Sequence, residues 1–568
     1  MTDAALTPGA TSGPRARFDS EAWVMRGGIA IAGIFLIVAV ILPLYAMLSK
    51  SFEDKDGAFV GLTNYATYFD TPSLSYSISN SLTVSIVATV IVISLAFAYA
   101  YAITRTCMPF KGFFRLVALV PILAPSLLPG ISFIYMFGKK GFMRDLLLGE
   151  PIYGFIGIVL GSSFWTFPHA LLIMITALSL SDARLYEAAE ALRASRLRTF
   201  FTVTLPGAKY GVISAIFVVF TLVITDFGVP KVIGGQYSVL ATDIYKQVIG
   251  QQNFQMGAVV SVMLLIPAVL AFGVDRLVQR RQVALLSARA VPYEPKPARG
   301  RDIGALVFCT VMAGMLLLVL GVAAYASLVK FWPYNLELGL THYNFEIMDG
   351  GGWGAWFNSM KLAALTALIG TTMIFTVAYL VEKGQGARFG RVVIQAMAMV
   401  PLAVPGMVLG LAYIFFFNNP SNPLNGIYAT LAILVLSTVA HFYTVAHLTA
   451  VTALKQIDGE FESVSSSLKV PFWITFRRVT VPVCQPALFS MAVYLFMNAM
   501  TTVSAVVFLY SPDTNLASVA VMNMDDAGDI APAAAMAMMI VYTNLTVVLI
   551  YGVVSRVVEK RTQAWRRR

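Results

Sequence analysis

The chain has 568 residues, 58% hydrophobic and only 12% charged, with a formal net charge of +11 and a mean hydropathy of +0.76. A soluble domain carries about 25% charged residues, so this composition excludes a soluble globular enzyme. The three cysteines, Cys107, Cys309 and Cys484, show neither a disulfide framework nor metal-ligand spacing.

Residues 1–26 are polar, with Pro8, Gly9, Gly13 and Pro14, and are expected to form a disordered cytoplasmic tail. Twelve apolar runs follow, each able to cross a hydrocarbon layer of roughly 30 Å at about 1.5 Å per residue. Six lie near 27–49, 80–104, 114–138, 152–178, 208–227 and 256–274. Six more lie near 304–327, 358–381, 393–417, 427–453, 484–508 and 532–555. The first run is too long for a signal-peptide core and is expected to stay as a helix. With the tail in the cytoplasm and sides alternating, the cytoplasmic segments hold 31 of the 40 Lys and Arg. That bias orients the chain with both termini cytoplasmic. The positive charge therefore reads as topology, and no nucleic-acid partner is expected.

One pattern occurs twice. Gly61-Leu62-Thr63-Asn64-Tyr65, Asn80-Ser81, Val120-Pro121, Pro125 and Gly130 return as Gly339-Leu340-Thr341-His342-Tyr343, Asn358-Ser359, Val400-Pro401, Pro405 and Gly410. The offsets are 278 to 280 residues. The expected architecture is an all-α polytopic membrane protein of about twelve transmembrane helices in two homologous six-helix halves. The halves are read as 27–285 and 303–568, joined by a cytoplasmic linker at 286–302. Two such halves usually enclose a path, which points to transport. Pro121, Pro125, Pro129, Pro401 and Pro405 are expected to kink the third helix of each half, near that path.

The cytoplasmic loop after the fourth helix of each half is long and amphipathic, at 181–206 and 456–482. In the first, Ser181 is expected to cap a short helix, with Asp182 in its first turn and Ala188, Ala189 and Leu192 as an apolar stripe. Pro206 then breaks the chain before the next run. The second copy repeats the layout: an acidic start with Glu460 and Glu462, small residues, a basic stretch, and Val481-Pro482. Such a connector could lie at the headgroup boundary. Its recurrence favours a partner, because a short helix with a small-residue face suits a groove.

Glu187-Ala188-Ala189 followed by Leu205-Pro206 resembles the EAA loop of permease subunits in binding-protein-dependent ABC importers. That family's pattern has Glu-Ala-Ala, a Gly six residues after the Glu, and a Leu-Pro ending nineteen after it. Here Arg193 holds the Gly position, followed by Ala194, and Pro206 fits. In the second copy Glu462 is one residue out of register, Ser463 stands nineteen before Pro482, and the Gly position falls on Leu468 or Lys469. The resemblance implies that each loop docks on a cytoplasmic ABC ATPase, as a homodimer, and that a periplasmic or extracellular solute-binding protein delivers the solute. No phosphate loop is present, so ATP hydrolysis belongs to a separate subunit and no cofactor or metal is expected in this chain. The fused form resembles ferric-iron and phosphonate permeases of the bacterial inner membrane. Thr225–Gly235 and Ser467–Phe472 look most like 2-aminoethylphosphonate permeases, with ferric iron as the alternative.

Polar groups inside the runs are costly and become path candidates. His169 and His447 match at an offset of 278, with His441 nearby. Hydrogen bonding between helices is the simpler reading of that pair than a metal site. Asp226 near the outer end of the fifth helix corresponds to Thr502. The plainer reading of Asp226 faces water or the docking protein; the alternative is the path, together with Asn498 and Thr502. A twelve-helix secondary transporter is the rival class. It would need buried acids, which are almost absent, and has no reason for matched connectors.

Overall fold

The computed structural model describes residues 20–179, 182–283, 291, 293–348, 350–384, 387–468 and 470–562. The proposed tail lies outside these residues up to position 19, and from Ser20 onward it is already helix. Lys469, Ser181 and most of 284–292 also lie outside them. Eight described helices are long and apolar enough to span a membrane, and four bent pairs bring the number to twelve. The first half supplies Trp23–Lys50, Pro72–Arg105, Lys111–Leu123 with Leu127–Phe137, Phe155–Ser179, Arg196–Ile224 and Phe254–Gln279. The second supplies Arg299–Ala326, Gly352–Glu382, Arg388–Ala403 with Gly406–Phe417, Leu431–His441 with Tyr443–Lys455, Phe472–Val483 with Gln485–Thr501, and Ile530–Val557.

The third span of each half is broken, by 103° and 113°, far beyond a proline kink. Proline disfavours the helical conformation in the residue before it. Ala124, before Pro125, is extended at ψ 144°, and Val404, before Pro405, at ψ 117°. The span expected at 484–508 is shorter than its apolar run. Its helix ends at Thr501, whose successor Thr502 gives its carbonyl to the Ser518 hydroxyl at 2.6 Å. Residues 502–510 are a buried non-helical turn.

After the fifth span of each half the chain turns back inward rather than forming a surface loop. In the first half Gly228–Ile233 and Leu240–Tyr245 are short helices with almost every side chain buried. In the second the counterpart is the 502–510 turn followed by Ala517–Ala527. The repeated Asn-Ser pair holds these segments. Ser81 and Ser359 each accept a backbone N–H, from Leu240 and Ala517, at 2.8 Å. Asn80 donates to the Ser238 carbonyl at 3.0 Å, and Asn358 to that of Asn515 at 3.2 Å. Buried backbone groups need such partners where no water reaches.

The same segments meet the broken third span at a pair of close crossings. A Cβ on Gly228 would collide with the Ser126 hydroxyl, and one on Gly406 with that of Ser504. Gly228 and Ser504 are mates, as are Ser126 and Gly406, so the two crossings carry the same two residue types exchanged. The first span of each half packs on the second limb of the other half's third span. Tyr413 donates across that contact to the Ala39 carbonyl at 2.7 Å. The last span also crosses over, with Asn544 donating to the Leu123 carbonyl at 2.9 Å.

Candidate functional site: two connectors and an inter-half contact

The first connector is the helix Ala183–Ala191. Its cap is Asp182, which accepts the Arg184 N–H at 3.1 Å, and not the expected Ser181. Arg193, at the family's Gly position, has φ +50°, and Ala194 donates back to the Ala189 carbonyl at 2.9 Å. The turn therefore keeps the left-handed residue that glycine favours. Ser195 caps a second short helix, Arg196–Thr199, and a π-turn at Phe200–Thr204 leads into Leu205-Pro206.

The second connector repeats this path at an offset of 276 residues. Glu460–Ser467 is its helix, Val470 donates to the Ser465 carbonyl at 2.9 Å, and Phe476–Thr480 is its π-turn before Val481-Pro482. Backbone register thus sets Ser463 opposite Glu187, and Glu462 opposite Tyr186. Glu462 is turned inward and pairs with Lys383 at 3.0 Å. The expected apolar stripe is corrected. Ala189 is buried, but Leu192 is 82% exposed, as is its mate Leu468 at 70%. Leu192 caps the C-terminal end of the helix, past its last turn.

A cation at the end of the second span grips each connector. Arg105 donates to the Leu178 carbonyl at 2.7 Å and lies 5.0 Å over Tyr186 and 4.5 Å over Tyr293. Its mate Lys383 donates to the Ile457 carbonyl at 3.2 Å and pairs with Glu462. Among the described residues, the inter-half linker lies on the first connector. Tyr293 packs on Tyr186 with ring centres 4.4 Å apart, Ala183 donates to the Val291 carbonyl at 2.9 Å, and Lys296 pairs with Glu190 at 2.6 Å. Beside the second connector lies a cavity of about 1030 Å³, edged by Thr452, Gln456, Asp458, Phe461 and Tyr551.

The other candidates are not brought together. His447 is fully buried and contacts the Gln395 side chain at 3.1 Å, joining the fourth and third spans of its own half. His169 packs beside Trp165 in the other half. Among the described residues no group of His, Cys, Asp or Glu is arranged to hold a metal ion. Asp226 does not face water: it is buried, and its carboxylate accepts the Gly228 and Val229 N–H groups at 3.2 Å. It is held by the turn it starts. Asn498 donates to the Tyr494 carbonyl of its own helix at 2.8 Å, and Thr502 is buried.

Sequence reasoning missed the contact between the inward-turning segments of the two halves. Lys231 of the first half pairs with Asp526 of the second at 2.9 Å and lies 4.8 Å over the Tyr245 ring. Tyr245 in turn stacks on Phe508 with centres 6.3 Å apart. Asp525 and Asp526 lie between the eleventh and twelfth apolar runs. The available signal was the apolar character of 516–524, beyond the eleventh run.

The family model described as binding-protein-dependent transport system inner membrane component matches residues 108–283 and again 374–560. The chain belongs to that family. Its first half and second half each carry one copy, and the family is the membrane permease component of ABC importers. Ferric transport system permease protein FbpB of Actinobacillus pleuropneumoniae is 28% identical over 490 residues, 84% of this chain and 70% of that protein. Fe(3+)-transport system permease protein FbpB 2 of Haemophilus influenzae is 24% identical over 512 residues, 89% and 94% of the two chains. PhnV of Salmonella typhimurium, described as a 2-aminoethylphosphonate transport system permease, is 26% identical over 255 residues, 44% of this chain and 93% of that protein. As a permease of this family the chain is a multi-pass inner-membrane protein. It works with an ATPase and a substrate-binding protein.

Proposed function

We propose that this permease admits ferric iron, handed over by a separate binding protein and driven inward by ATP hydrolysis in a cytoplasmic subunit. The observation that carries the solute is length of match. The ferric permeases align with 84% and 89% of this chain, through both halves, whereas PhnV aligns with 44%. Import of 2-aminoethylphosphonate is the second reading, favoured by a match that spans 93% of PhnV.

In this reading 27–285 and 303–568 enclose the path and 286–302 joins them. The termini and both connectors face the cytoplasm, in line with the distribution of Lys and Arg. Glu187, Ala188, Leu192, Arg193 and Ala194 dock one ATPase subunit, and Ser463, Leu468 and their neighbours dock the other. Two connectors of one backbone shape, each with an exposed leucine at the same register, suit two copies of a single ATPase. Exposed leucines on a polar loop are the kind of anchor a partner's groove covers. The path passes the Lys231–Asp526 contact at its outer end.

The test is uptake of radiolabelled ferric citrate and of 2-aminoethylphosphonate in cells with and without the gene. Loss of iron uptake alone is expected. Loss of phosphonate uptake alone would move the solute to the second reading, and loss of neither would refute both.

A further inference from the structure

The duplication supplies an internal control for surface charge. A position whose mate is uncharged shows that the shared fold does not require a charge there. Lys139 and Lys140, just after the third span, correspond at the offset of 280 to Asn419 and Pro420. Lys330 corresponds at the offset of 278 to Phe52. The hairpin that carries it, Val329–Phe331 paired with Asn335–Leu338, has only an isolated bridge, Glu53 to Phe59, as its mate. These three lysines line one cavity of about 450 Å³, with Asp529 as the one carboxylate in its wall among the described residues. The cavity lies between the halves, on the side that the proposed orientation makes the outer face.

The wall is built, not incidental. Trp332 of the hairpin donates its indole N–H to the Lys140 carbonyl at 3.1 Å. It also meets Tyr135, Phe142 and Tyr325 with ring centres 6.0 to 6.3 Å apart. The second half is thereby stapled to the first half's loop. Lys140 extends over the Tyr334 ring at 4.8 Å, and Lys330 pairs with Glu337 at 2.8 Å. Lys139 is exposed and has no carboxylate partner among the described residues. Beyond Asp529, the helix end holding Asp526 carries the inter-half ion pair to Lys231.

We propose that this basic cleft is a docking site for an acidic surface segment of the solute-binding protein. The inference rests on the permease reading above. The occupant follows from charge and place: surplus lysines at the rim attract a carboxylate-rich partner and steer its approach. A partner seated there touches both halves at once, within reach of the contact that joins them. The mates of the three lysines are Asn419, Pro420 and Phe52, the last followed by the acids Glu53 and Asp54, so a partner recognised this way docks in one orientation on a pseudo-symmetric face.

The experiment uses the full chain with its ATPase in lipid vesicles, and ATP hydrolysis is followed as binding protein is titrated. In the K139E/K140E variant the half-saturating concentration should rise by about tenfold, with hydrolysis recovering at higher binding-protein concentrations. Half-saturation of the wild type should rise with added salt, and the variant should lose that dependence. K139R/K140R should behave as wild type. An unaltered titration of K139E/K140E beside a normal wild-type response overturns the docking site alone. A wild type that no binding protein stimulates overturns the permease reading and the docking site with it. Competition by inorganic phosphate that chloride at equal ionic strength does not reproduce would assign the cleft to a small anion, and would equally overturn it.

Discussion

Asp525 sits beside the inter-half ion pair, and its protonation changes what that contact contains. Its carboxyl is pushed up to about 7 by burial and then by the Asp526 carboxylate, against the pull of Lys231. An acid whose folded-state pKa exceeds its unfolded value, about 3.9, holds more protons folded than unfolded. Stability from this group is therefore complete at low pH and is lost as pH climbs from about 4 to about 7, with no further change above. The melting temperature of the wild type should fall by a few degrees between about pH 5 and about pH 7.5. Asp525→Asn should flatten that fall. A slope equal in the two proteins would show that other groups cause it. Arg105 and Lys383 make a second point at this scale. One position keeps its cation while its partner changes from aromatic faces to a carboxylate, because either can hold a positive charge at the end of a span.

At the scale of elements, the connectors separate seat from docking surface. Ala189 is buried against the membrane domain while Ala188 and Glu187 face outward. Glu187→Arg with Ala188→Asp should therefore leave the permease folded and abolish its co-purification with the ATPase. Ala189→Leu should instead lower the melting temperature, since an added side chain has to be accommodated in a packed seat at about 1–3 kcal/mol. Unchanged ATPase co-purification in the double variant would remove the docking role of this loop. The broken spans follow a related logic. Ahead of Pro125 and Pro405 the break is local chemistry. In the fourth span of the second half it is not: the helix bends by 56° at Phe442, with no proline there. Thr444 there reaches across to the Ala398 carbonyl at 2.7 Å, while its mate Thr166 bonds back within its own helix to Ser162 at 2.7 Å.

For the whole molecule, the Lys231–Asp526 pair and the Tyr245–Phe508 stack hold the inward-turning segments of the halves together. The pair is partly exposed, so it contributes on the order of 1 kcal/mol. That is small for folding but about fivefold for an equilibrium between two arrangements of the halves. Lys231→Met should therefore raise ATP hydrolysis in the absence of binding protein several-fold in reconstituted vesicles. Hydrolysis at the wild-type level would show that this contact does not restrain the resting arrangement.

The register of the second connector stayed open between Glu462 and Ser463, but the membrane class, the twelve spans and the duplication were legible in the sequence. Each of these is written in local quantities: apolar length, the distribution of Lys and Arg, and spacing along the chain. It also carried the family, through Glu187-Ala188-Ala189 and Leu205-Pro206. The folded chain alone shows that Glu462 faces Lys383, that Asp226 serves its own turn, and that 228–250 and 502–527 fold inward. It likewise decided that the Asn-Ser pair exists to hold those segments. The physical reason is that these facts depend on which buried polar group finds which partner across spans far apart in the chain. A hydrophobic pattern says that a residue is buried, but not what it is buried against.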